Sequence, residues 1–104
     1  MRWLEPWSSA ENLDEKIAQG LVRQLAIEVP PGHQMFELPV RLIGRGDDDD
    51  VLFEILDGSG RVAEVHLTWS KSREHLPWPV SVLYPSLGEW VANRMLPEHQ
   101  EWRS

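Results

Sequence analysis

The sequence predicts an α+β domain: an antiparallel sheet of three or four strands with an N-terminal helix and a C-terminal helix. Three observations carry this reading. Two alternating apolar runs flank a turn cluster in VLFEILDGSGRVAEVHLTW, Val51 to Trp69, which spells a β-hairpin. Leu13, Ile17, Leu21 and Leu25 recur every fourth residue, as on one face of a helix. Ser86 with Glu89 forms a capping box ahead of a second apolar stripe, Leu87, Trp90, Val91 and Met95.

The first helix is expected within residues 9 to 28. Ser8 and Ser9 offer N-cap oxygens, with Glu11 three residues after Ser8, and Asp14 and Glu15 suit the positive end of the dipole. Pro30 and Pro31 end it. Gly20 inside a helix is unfavourable by about 1 kcal/mol relative to alanine, so a close-packed strand is the expected reason for it, with a kink as the rival. Pro39 then opens a short strand, Val40 to Arg45, at the position where a strand tolerates proline.

Face assignment sets the expected register. Ala63, Val65, Leu67 and Trp69 share one face of their strand, and Val51, Phe53 and Ile55 match them as the core. A three-residue Gly58-Ser59-Gly60 loop, closed by Asp57 opposite Arg61, puts Gly60 in the left-handed region and Val65 across from Phe53. It also sets Glu54 beside Glu64, a like-charge pair that needs a neutraliser. Arg41 on the preceding strand supplies one if Arg45 closes the Gly46–Asp49 loop against Asp50. The next row is then Ile43, Leu52 and His66.

Val80 to Tyr84 is expected as a fourth strand, and the last helix over Leu87 to Leu96 is expected to stop at Pro97. Residues 1–104 form one domain, with no internal repeat and no dividing linker. Hydrophobic residues are 41% and charged ones 26%, the balance of a globular chain.

Composition excludes several chemistries. A formal charge of −7 repels a phosphate backbone, which argues against nucleic acid as a partner. Without cysteine there is no disulfide, thiolate nucleophile or Cys-based zinc site. The start of the chain shows no apolar leader and no segment is apolar enough to span a bilayer, so a cytoplasmic protein with no membrane partner is expected.

The candidate site residues are Arg41, Glu54, Glu64, His66 and Thr68, on the sheet face opposite the core. With Ile43, Leu52, Leu56 and Val62 that face is too apolar for plain solvent exposure. Either the second helix or the tail covers it, or it meets a protein partner or a second copy. His66 beside Glu64 or Glu54 has the form of a general base, giving a rival reading as a small hydrolase or ligand-binding protein. No nucleophile motif accompanies it, and a structural histidine is the commoner role.

The Asp47–Asp50 run lacks the glycine and terminal glutamate of a calcium loop and reads as a solvated turn. His33, His75 and His99 show no ligand spacing, so neither metal nor cofactor is expected. Of six tryptophans, Trp69 and Trp90 fall on core faces, while Trp3, Trp7, Trp78 and Trp102 are left for the surface, with Trp3 and Trp7 as a terminal staple.

The segments EVPPGH (Glu28 to His33), DDVLFEI (Asp49 to Ile55), VHLTWS (Val65 to Ser70) and the Trp78-Pro79 pair resemble a family of small uncharacterised bacterial proteins over nearly the whole chain. The resemblance implies a compact α+β domain in a bacterial cytoplasm and carries no activity. His33, Asp49, His66 and Thr68 are the polar residues of those segments where a shared site would be sought. The leading expectation is a non-enzymatic protein-interaction module or homodimer.

Overall fold

A computed structural model describes residues 1–104. Five antiparallel strands form one meander in chain order: β1 (Ser8–Ser9), β2 (Val40–Arg45), β3 (Asp50–Ile55), β4 (Val62–His66) and β5 (Ser81–Tyr84). The fourth strand expected at Val80 to Tyr84 is β5, and β1 is an extra edge strand.

Because β1 occupies Ser8 and Ser9, the first helix, α1 (Glu15–Glu28), begins later than the serines suggest. Asp14 caps it, accepting from the Lys16 N–H at 2.8 Å, while Ser9 caps only a short 3-10 turn, Ala10–Asn12. Leu21 and Leu25 are buried, but Ile17 is 48% exposed. Gly20 has no strand against it: the nearest atom to an added Cβ would be in Arg23, at 3.7 Å.

The hairpin faces are as expected, and its register is displaced by two. Leu52 pairs with Glu64, Phe53 with Ala63 and Asp50 with His66. The Ile55 N–H donates to the Arg61 carbonyl, so the turn is longer than a three-residue loop. Side chains organise it: Asp57 accepts from the Ser59 N–H and from Arg61, and Arg61 also donates to the Ser59 hydroxyl. These hydrogen bonds, from Ser59 and then Arg61, pull the Asp57 carboxyl down to about 2. Gly60 is left-handed, with φ 79°. A slip of two preserves every face, so the core of Val51, Phe53, Ile55, Ala63, Val65 and Leu67 under α1 stands. Trp69 is corrected: β4 ends at His66, and the indole is 47% exposed with φ 61°.

The opposite sheet face is closed by the chain itself. Leu52 and Val62 are buried beneath Trp7, Trp90 and Met95. Trp7 meets Trp90 edge-on at 4.9 Å, and Trp3 lies 5.9 Å from Trp90. Gly46 and Gly44 make room for this cluster, since a Cβ there would approach the Trp7 ring to 2.8 Å and the Trp3 ring to 2.5 Å.

Pro97 does not stop the last helix. The chain runs through α2 (Leu87–Trp90), a wide turn at Val91–Met95 and α3 (Leu96–Arg103). In the wide turn the Leu96 N–H reaches back to the Val91 carbonyl, and this π-type spacing absorbs the proline at the start of α3. No helix is long and apolar enough to cross a membrane.

Candidate functional site

The five residues singled out from the sequence do not converge on one site. Arg41 and Glu54 do pair across β2 and β3, at 2.9 Å, on an exposed surface. Glu64 lies two residues away from the expected neighbour, because Glu54 faces Val62 instead. It sits under the C-terminal helices, accepting from the Trp90 indole at 2.9 Å and from Arg94 Nε at 3.0 Å to both oxygens.

Burial raises the Glu64 carboxyl above its ordinary value, and the Trp90 and Arg94 donors oppose that rise. Burial likewise works against the Arg94 charge, but Glu64, then Glu98 and Asp50, outweigh it and hold the guanidinium above its usual range. Glu98 in turn accepts from the Trp7 indole at 2.8 Å. The network thus joins β4 to the last helix and the N-terminal segment.

His66 has a carboxylate partner, but it is Asp50 rather than Glu64 or Glu54. Nδ1 lies 2.8 Å from Asp50 Oδ1, and the side chain is half exposed. The Asp50 hydrogen bond raises the imidazole above its ordinary 6.5 against partial desolvation, with the charges of Asp50, Asp49 and Asp48 adding. The pair has the form of a general-base dyad, and no hydroxyl is hydrogen-bonded to the imidazole. The Thr68 hydroxyl donates to Glu28 at 3.0 Å, and the Ser70 hydroxyl donates to the Ser72 carbonyl.

Thr68 belongs to a different arrangement. Glu28, wholly buried at the end of α1, accepts the N–H and hydroxyl of Thr68 on Oε1, and the Trp69 N–H and Gln24 amide on Oε2. Two successive main-chain N–H groups aimed at one anion form a nest, here filled by the protein's own carboxylate. His33 is also structural: its Nδ1 accepts from the Met35 N–H, so Nε2–H donates to the Pro79 carbonyl. No group of three or more His, Asp or Glu side chains converges as metal ligands.

One surface was missed by the sequence reading. β1 pairs only with Arg45 and Gly44, and a bulge at Ile43 separates that pairing from the rest of β2. The Leu56 N–H donates to the Pro39 carbonyl at 2.8 Å, which makes Pro39–Leu56 and Arg41–Glu54 the bonded pairs of this ladder. By the antiparallel alternation, the N–H and C=O groups of Val40 and Leu42 point outward. No strand takes them up.

This open edge, about 13 Å long at the usual strand rise, borders a groove of about 980 Å³. Its lining includes Ala18 and Val22 of α1, Leu42 and Ile43 of β2, Trp3 and Leu87. A second hollow of about 450 Å³ continues past Val22 and Val40 toward Phe36, over which Arg73 stands at 5.5 Å. The one hint in the sequence was Pro39, a residue suited to the start of an edge strand.

Comparison with protein-family models, curated proteins and solved structures finds no match to this chain. The arrangement of its own residues therefore carries the functional argument.

Proposed function

We propose that this protein is a non-enzymatic interaction module that takes up an extended segment of another protein as an added strand on β2. The observation that carries the reading is the unpaired main chain of Val40 and Leu42 beside an apolar groove. Strand addition draws affinity from main-chain hydrogen bonds and selectivity from the pockets that receive alternate side chains. The groove supplies both requirements. The closed second face does not, since Trp7, Trp90 and Met95 already fill it. The net charge of −7 weighs against a nucleic-acid partner.

Selection from a random peptide library on the immobilised protein tests the idea, with Val40→Pro as the comparison. Proline removes an outward donor at the first position of the strand, where the fold tolerates it. Peptides with alternating apolar residues should be enriched on the wild type and lost on the variant. Equal enrichment on both would overturn the reading, and so would bound peptides that leave the Val40 and Leu42 amides unprotected from hydrogen exchange. If the occupant is instead a second copy, sedimentation will show a dimer that Val40→Pro dissociates.

A further inference from the structure

The geometry points to a polarity in this groove: an added strand that keeps the antiparallel sense of every pair in this sheet, the more stable pairing per residue, carries a basic residue at its amino-terminal end, beside Ile43, and a carboxylate at its carboxyl-terminal end, beside Val40. The inference rests on the strand-adding role proposed above and specifies the chemistry of the occupant.

Direction comes first. Ser9 pairs with Gly44, so Glu11, two residues on, lies by the Ile43 end of the open edge. Val22 borders Val40 and Pro39 in the adjoining hollow, so the far part of α1 lies by the Val40 end. The helix therefore runs opposite to β2 along the groove. Glu15 and Arg23, both lining it, are separated by about 12 Å at the helical rise, close to the ~13 Å of open edge.

Charge is then distributed unevenly over one strand's length. Glu11 and Glu15 stand at the Ile43 end, and neither has an ion-pair partner. Glu15 also suits the positive end of α1, but Glu11 precedes that helix and gains nothing from its first turn. Arg23 is mid-helix and without an ion-pair partner, while Arg41, the other cationic side chain of the groove, is already neutralised by Glu54. An added strand thus meets carboxylates without a cationic partner at one end and a guanidinium without an anionic partner at the other. Its side chains facing α1 lie between Ala18 and Val22, where apolar residues are favoured.

The test uses the full chain and short synthetic peptides with capped ends. One peptide carries lysines, then alternating valine and threonine, then aspartates; a second exchanges the charged ends; a third replaces the aspartates with a free carboxyl terminus. The first should bind about fivefold more tightly than the second, the size expected of exposed ion pairs. Affinity of the third, compared with the first, separates a side-chain carboxylate from a chain terminus as the source. The double variant Glu15→Lys, Arg23→Glu should reverse the preference between the first two. A spin label at the amino end of the first peptide should broaden the Ala10 and Glu11 amides more strongly than the Arg23 amide.

Equal affinity of the first two peptides, or stronger broadening at Arg23 than at Ala10 and Glu11, overturns the polarity. If they still protect the Val40 and Leu42 amides, strand addition survives that result. If no peptide protects those amides, both readings fall.

Discussion

Replacing Glu28 by glutamine tests whether the buried carboxylate holds the Thr68–Trp69 bend. The substitution keeps shape and nearly keeps volume, but one oxygen becomes an NH₂ donor. Oε1 receives the Thr68 N–H at 2.8 Å and its hydroxyl at 3.0 Å; Oε2 receives the Trp69 N–H at 2.8 Å and Gln24 Nε2 at 2.7 Å. If the amide nitrogen faces Thr68, the hydroxyl can rotate to accept, but the Thr68 N–H is left without an acceptor. If it faces Trp69, Gln24 can turn over only by giving up its bond to the Ser70 carbonyl, and the Trp69 N–H is still orphaned.

One buried orphaned donor costs about 1–3 kcal/mol, and the remaining bonds fall from charged to neutral strength. The expected loss is about 2–4 kcal/mol, a large share of the ~5–15 kcal/mol typical of a domain. At this chain length that lowers Tm by about 10–25 °C. Urea unfolding measures the loss, and faster exchange of the Trp69 amide locates it. Glu15→Gln, at an exposed helix position, is the control. A Glu28→Gln stability within about 0.5 kcal/mol of wild type, the range of ordinary surface changes, would refute the assignment.

His66 gives a pH signature. Its pKa is raised in the folded state, so its contribution to stability is complete below 6.5 and is lost as pH rises through the folded value. An NMR titration should place its midpoint above 6.5 and Asp50→Asn should bring it back; a wild-type midpoint below 6.5 would contradict the pairing. Gly46→Ala should cost about 1–3 kcal/mol and more than Gly44→Ala, because Trp7 is buried and hydrogen-bonded while Trp3 is only partly buried near the chain end. The reverse order in urea unfolding would mean that the Trp7 ring moves freely. Arg94→Ala should cost about 1–2 kcal/mol, discounted for the exposed part of the guanidinium, and adding Glu64→Gln should recover part of it. Strict additivity of the two changes would deny that they are coupled.

These tests fall on residues that the sequence reveals unequally. Strand faces are legible because side chains alternate, so the core under α1 follows from period alone. Register is less so, because a slip of two leaves all faces intact; the turn chemistry of Asp57, Ser59 and Arg61 decides it. That slip hid the partner of His66: with the observed pairing, Asp50 stands directly opposite it. Extending the β4 pattern to Trp69 failed because Glu28, forty residues earlier, draws the chain out of the strand at Thr68. Pro97 misled because the stop rule assumes α spacing, and the turn before it is wider. Ser8 and Ser9 have no apolar pattern to announce a strand, and with β1 unseen the open part of β2 could not be seen either.

The two uncovered edges of the sheet, β5 and the part of β2 beyond its pairing with β1, are treated differently by the chain. On β5 the outward carbonyl of Ser81 already receives the Gln34 side chain at 3.0 Å, and the same amide reaches the Ser81 hydroxyl at 2.7 Å. A side chain brought from the loop before β2 thus occupies one outward acceptor of that edge, a local form of the covering by which proteins limit unwanted pairing. The β2 edge has Pro39 at its start and a bulge at its end, which limit pairing to a short stretch without occupying it. Between those limits Val40 and Leu42 keep their outward donors and acceptors, and α1 stands back far enough to leave the groove. Under the strand addition proposed above, the bounded opening on β2 limits the added strand to about four residues.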